Sequence, residues 1–137
     1  MGFLNKLKDV AGKMVKQLKY VEFELTAEEL AQKWDKVKFY RPEVFVDERY
    51  SKYWAEINRV IEKEVEVGLF HKSKKTVVEI EYTHIYEEYE YEDDEEEGWW
   101  EERREIGTLK LSPKDKVKIR LTEMKYQEML QKEGKVL

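Results

Sequence analysis

The chain has 137 residues, 42% of them charged, with a formal net charge of −5 and no cysteine. That length suits one domain able to bury a core without staples, and the 13% aromatic share excludes a disordered chain. The missing cysteines exclude disulfides and thiolate metal sites, and no apolar run reaches the roughly 18 residues that cross a bilayer.

Lysine and glutamate dominate the charged set, while Asn and Gln are few. This composition resembles that of a protein from a heat-loving cell or its virus, where ion-pair networks are favoured. Lysines interrupt the first twenty residues and argue against a secretory signal, so a cytoplasmic location is the default. The net charge hides an asymmetry. Residues 77–107 carry 14 acidic and 2 basic groups, whereas the segments before and after are net positive. Local charge of this kind bears on partners rather than on fold.

Residues 3–19 read as an amphipathic helix. Phe3, Leu4, Leu7, Val10, Ala11, Met14, Val15 and Leu18 form one apolar stripe beside Lys6, Lys13 and Lys16. Val21, Phe23 and Leu25 then alternate with glutamates as a half-buried strand. Thr26 and Glu29 form a capping box for a helix to about Lys38, which Pro42 stops. Val44, Phe45 and Val46 read as an apolar link. A further helix is predicted from Asp47 or Ser51 to about Glu66, with Tyr50, Tyr53, Trp54, Ile57, Val60, Ile61 and Val65 inward and Gly68 as its stop.

The second half reads as strands. Residues 76–91 alternate through Val78, Ile80, Tyr82, His84 and Tyr86. Tyr89 and Tyr91 then break parity, which predicts a β-bulge near Glu87–Glu88. Glu92 to Glu97 reads as a hairpin tip ending at Gly98. A return strand covers Trp99 to Leu111, a Pro113 turn follows, and residues 116–121 form a last strand. Leu109 and Leu111 must share a face with Val117, Ile119 and Leu121, which requires an odd loop of three or five residues between the last two strands. Thr122 caps a final helix to about residue 133 that Gly134 ends.

The expected fold is a single α+β domain over residues 1–137. An antiparallel sheet of about four strands, with a long acidic hairpin, packs against about four helices. The expected core gathers Trp34, Trp54, Ile57, Ile61, Val78, Ile80, Leu109, Val117 and Ile119.

The sharpest functional feature is the run YEEYEYEDDEEE from Tyr86 to Glu97, followed by Gly98, Trp99 and Trp100. Carboxylates take Arg and Lys, and aromatic faces add cation–π contacts of about 0.5–2 kcal/mol each. Tyr86, Tyr89, Tyr91, Asp93, Asp94, Glu95, Trp99 and Trp100 are therefore the candidate residues for a basic protein partner. A nucleic-acid-binding protein would suit, with the hairpin imitating phosphate charge. The plain alternative is a solvated charge run whose aromatics pack on the protein's own helices.

The second functional reading is a peripheral membrane or assembly protein using residues 3–18, with oligomers as one form of assembly. Lys110, Lys114, Lys116, Lys118 and Arg120 make a basic stripe, but the overall charge is wrong for direct nucleic-acid binding. Opposite charges on Glu101, Glu102 and Glu105 would serve it across the sheet. Catalysis ranks third. His71 and His84 are the only histidines, and no phosphate loop or metal motif accompanies them. No catalytic residue, metal site or cofactor is assigned, and His84 reads as a hydrogen-bonded core residue.

Overall fold

The structure is a computed structural model that describes residues 18–92 and 97–137. The predicted helix over residues 3–19 lies, but for Leu18 and Lys19, outside them, as do Asp93, Asp94 and Glu95 of the hairpin tip.

Among the described residues there are six strands and two α-helices. They are β1 (Tyr20–Thr26), α1 (Ala27–Val37), β2 (Glu43–Glu48), β3 (Ser51–Val67), β4 (Ser73–Glu90), β5 (Trp99–Leu111), β6 (Lys116–Thr122) and α2 (Glu123–Glu133). The strands form one sheet, antiparallel throughout, in the order β1-β6-β2-β3-β4-β5. This corrects the expected four strands and four helices: strand dominates the described residues.

The largest correction is β3, predicted as a helix. Ile57 pairs with Tyr82 and Arg59 with Glu81, so Asn58 is one residue extra. Before this bulge Ala55 and Ile57 point to the core; after it Val60 does. Tyr53, Ile57 and Val60 therefore stand at i, i+4 and i+7, which is helical spacing produced by a strand with a bulge. Asn58 and Thr83 hydrogen-bond each other beside the irregularity, at 2.8 and 3.1 Å. The bulge predicted near Glu87–Glu88 does not occur, because the β4–β5 register is unbroken from Val78↔Leu111 to Glu90↔Trp99. The apolar link at Val44–Val46 is β2, turned into β3 through Arg49 and Tyr50.

The β5–β6 loop is also corrected. Ser112–Asp115 is four residues long, and β5 does not pair with β6 at all. Three strands lie between them, so a flat sheet would hold them roughly 19 Å apart. Yet the turn is closed: the Asp115 N–H donates to the Ser112 carbonyl at 3.0 Å, which keeps its ends within about 7 Å. The sheet must therefore coil strongly, and α1 lies in its concave side. Leu30 and Trp34 of α1 pack there with Val44, Val46, Ile57, Val78, Ile80, Val117 and Ile119, and Leu109 and Leu111 reach the same core from the sheet edge. Trp54 and Ile61, expected in the core, lie on the convex face and are half-buried. A smaller cluster joins Val37, Tyr40, Leu121 and Met129, seating α2.

The start of α1 is fastened by four hydrogen bonds. Ala27 and Glu28 donate their N–H groups to the carbonyls of Asp115 and Pro113, at 2.8 and 3.0 Å. The Thr26 hydroxyl accepts the Glu29 N–H at 3.2 Å and donates to the Glu29 carboxylate at 3.0 Å. The capping box is thus present, with its carboxylate on the hydroxyl rather than on the Thr26 backbone. Thr26→Ala is expected to lower unfolding free energy by about 1 kcal/mol, read as a shifted urea midpoint at unchanged slope. No change at all would show that the Pro113–Asp115 carbonyls alone hold this end.

Candidate functional site

Pairing of β3 with β4 ends at Glu56↔Thr83, whereas β4 and β5 continue to Glu90↔Trp99. Seven further residue pairs therefore form a two-stranded arm, about 23 Å long at strand spacing. Its sequence keeps it out of the core. From His84 outward the inward-facing positions on β5 and past Tyr86 on β4 are mostly charged: Glu88, Glu90, Glu101, Arg103 and Glu105, with Trp99 the aromatic exception.

Because parity is unbroken, the candidate aromatics divide between two faces. Tyr86 and Trp99 point to the side that holds the helices; Tyr89 and Trp100 sit opposite each other on the convex side. Tyr89 is the hub of that side. Its ring meets Trp100 edge-on at 5.3 Å and lies 6.4 Å from Tyr91. Its hydroxyl accepts the Gly98 N–H at 2.8 Å, tying the two strands at the tip. Tyr86, Tyr89, Tyr91, Trp99 and Trp100 are all exposed, the last at 65%. They do not pack on the helices. The structure therefore brings Tyr89, Tyr91 and Trp100 together and leaves Tyr86 and Trp99 apart from them. Ile85 and Ile106, 42% and 68% exposed, extend the same apolar strip toward the body. They were not singled out from the sequence, although strict alternation along β4 and β5 would have placed them there.

Charge is partly settled within the arm. Arg103 meets Glu90 at 2.7 Å, Glu101 at 2.8 Å and Glu88 at 3.4 Å. The Glu90 hydrogen bond first, then Glu101, raises the Arg103 pKa further. Arg104 reaches Glu102 at 3.5 Å. Across the described arm, residues 84–92 and 97–105 hold eight glutamates and two arginines, which leaves an excess of six negative charges.

On the concave side an aromatic ladder leads into the arm. His84 stacks on Tyr53 at 3.6 Å and lies 5.2 Å from Tyr86. It is half-buried in that stack rather than a hydrogen-bonded core residue. Tyr53 and Tyr82 share a hydroxyl contact of 3.4 Å, and Tyr82 donates to Glu48 at 3.4 Å. Burial, then these neighbours, push the Tyr53 phenol well above its usual range.

The basic stripe finds partners other than those expected, since β5 is not beside β6. Lys114 pairs with Glu28, Lys116 with Glu24 at 3.5 Å and Arg120 with Glu43 at 2.6 Å. Arg120 also lies between the rings of Tyr20 and Trp54, at 3.8 and 4.5 Å, which makes it a fixture of the convex face. The depression beside it, lined by Glu43, Trp54, Glu56, Thr83, Ile85 and Arg120, is shallow. Among the described residues no three His, Asp or Glu side chains converge on a metal position, and no helix is long and apolar enough to cross a membrane. No protein-family model, curated protein or solved structure matches the chain.

Proposed function

We propose that the chain is a non-enzymatic binding protein, regulatory or inhibitory in effect, whose β4–β5 arm engages a basic partner. The observation that carries this reading is the exposure of Tyr89, Tyr91 and Trp100 on an arm that stands clear of the body. Exposed aromatics on a charged ribbon cost solubility and add nothing to the core, but they are the residues that anchor interfaces. Surplus carboxylates beside them suit Arg and Lys, and a twisted ribbon of them offers a basic nucleic-acid groove a substitute for phosphates.

The test is capture from a lysate of the source cells, comparing wild type with two variants. One carries Tyr89→Ser, Tyr91→Ser and Trp100→Ser; the other Glu87→Gln, Glu92→Gln and Glu97→Gln. Neither touches the core or the Arg103 cluster. A basic protein held by wild type, lost from both variants, released by salt and displaced by double-stranded DNA is the expected result. Equal recovery on all three proteins would overturn the arm as the binding site.

A further inference from the structure

We propose that the opposite end of β4, the apex of the β3–β4 hairpin, is an anchor for anionic lipid surfaces. Beyond Lys63 and Val77 the two strands have no neighbour but each other, so the ribbon projects past the edges of β2 and β5. Its five-residue apex, Gly68 to Lys72, turns through Gly68 at φ +100°. Leu69 and Phe70 sit side by side at the very end, 90% and 94% exposed. No core contact explains them, and a turn needs neither.

Their surroundings choose the occupant. Lys72, Lys74 and Lys75 follow directly, and residues 67–76 contain no acid. Glu66 and Glu64 on the facing strand come within 3.9 Å of Lys72 and Lys74, with all four side chains well exposed. Such loose pairs leave the ammonium groups free to turn to a phosphate. An apolar apex ringed by flexible cations is the arrangement that enters the headgroup layer, whereas a protein pocket would need shape that two side chains on a thin ribbon do not supply.

β1 runs antiparallel to β3, so the polypeptide enters β1 at the end of the sheet where β3 leaves it. The preceding residues 1–19 hold five lysines, one aspartate and the apolar stripe read from the sequence. An apolar apex and the cations beside it are two signals, which together give stable attachment where one does not. The acidic arm, which the same surface would repel, occupies the last seven residues of the 18-residue β4. It begins about 36 Å from the apex end of that strand, several screening lengths away. The inference therefore stands whether or not the arm binds a basic partner.

The chain has no cysteine, so Leu69→Cys offers one attachment point for an environment-sensitive nitrobenzoxadiazole dye. The expected result is a blue shift with vesicles of mixed phosphatidylcholine and phosphatidylserine, little with phosphatidylcholine alone, and none for the same dye on Tyr91→Cys. In co-sedimentation with the mixed vesicles, Leu69→Ser with Phe70→Ser, and separately Lys72, Lys74 and Lys75 all changed to Gln, should each weaken binding roughly tenfold. Both variants alter exposed positions only, and far-UV circular dichroism checks their fold. A dye at Leu69 that does not respond, or tip variants that sediment like wild type, would overturn the proposal. The second outcome includes the case in which only Leu4→Ser with Leu7→Ser abolishes binding.

Discussion

Ile119→Ala should lower the free energy of unfolding by about 2–5 kcal/mol, among the largest single effects in this chain. Ile119 is 0% exposed. It stands in the middle of β6, opposite Phe23 on one side and Val44 on the other. The strand it occupies lies between β1 and β2, so β6 joins β1 to the rest of the sheet. Truncation removes buried methyl and methylene groups and leaves a cavity that a close-packed sheet fills only in part. Ile119→Val, which removes one methylene, should cost about 0.5–1.5 kcal/mol. Urea denaturation of both variants gives the comparison, with the slope unchanged if the transition stays two-state. An alanine variant within about 1 kcal/mol of wild type would show that β6 is not the centre of the core.

The second large effect falls on a glycine. Gly107→Val should destabilise by about 1–3 kcal/mol, although valine suits a strand far better than glycine. Gly107 pairs with Tyr82 across β4 and β5. A Cβ at this position would overlap the Tyr82 ring. That ring is 5% exposed and held by Glu48 and Tyr53 at its hydroxyl, so it cannot swing aside cheaply. The phenol covers the glycine and fills the space a side chain would take, as aromatic residues do for glycines in sheets. The sign is the test, because propensity alone predicts a gain. In a Tyr82→Ala background the same substitution should cost little or stabilise, and that non-additivity identifies the ring as the cause. Equal cost in both backgrounds would assign it to the backbone instead. Displacing Tyr82 would also disturb Tyr53 and His84, and so the base of the arm.

Elements whose signals are local were legible in the sequence. Thr26 and Thr122 cap the two helices as read, each accepting the N–H three residues on. The alternation in β1 and β6 and the return strand at Trp99–Leu111 also stand where they were predicted. A cap or a period of two is written in neighbouring residues, so no distant contact is needed to recognise it. The acidic and aromatic content of the arm was equally plain.

Arrangement was not legible. One inserted residue, Asn58, gave a strand the spacing of a helix and concealed β3. The closing of β5 onto β6 looked like a hairpin, because a four-residue turn says nothing about the three strands that separate its ends. Continuous register, not a bulge, divides Tyr86 from Tyr89, and the end of β3 pairing at Glu56 lets the arm stand free. Residue types and local hydrogen bonds belong to the sequence by itself. Strand order, sheet coiling and the face each aromatic takes depend on pairings between residues far apart in the chain, whose free energy exists only once the whole sheet has formed.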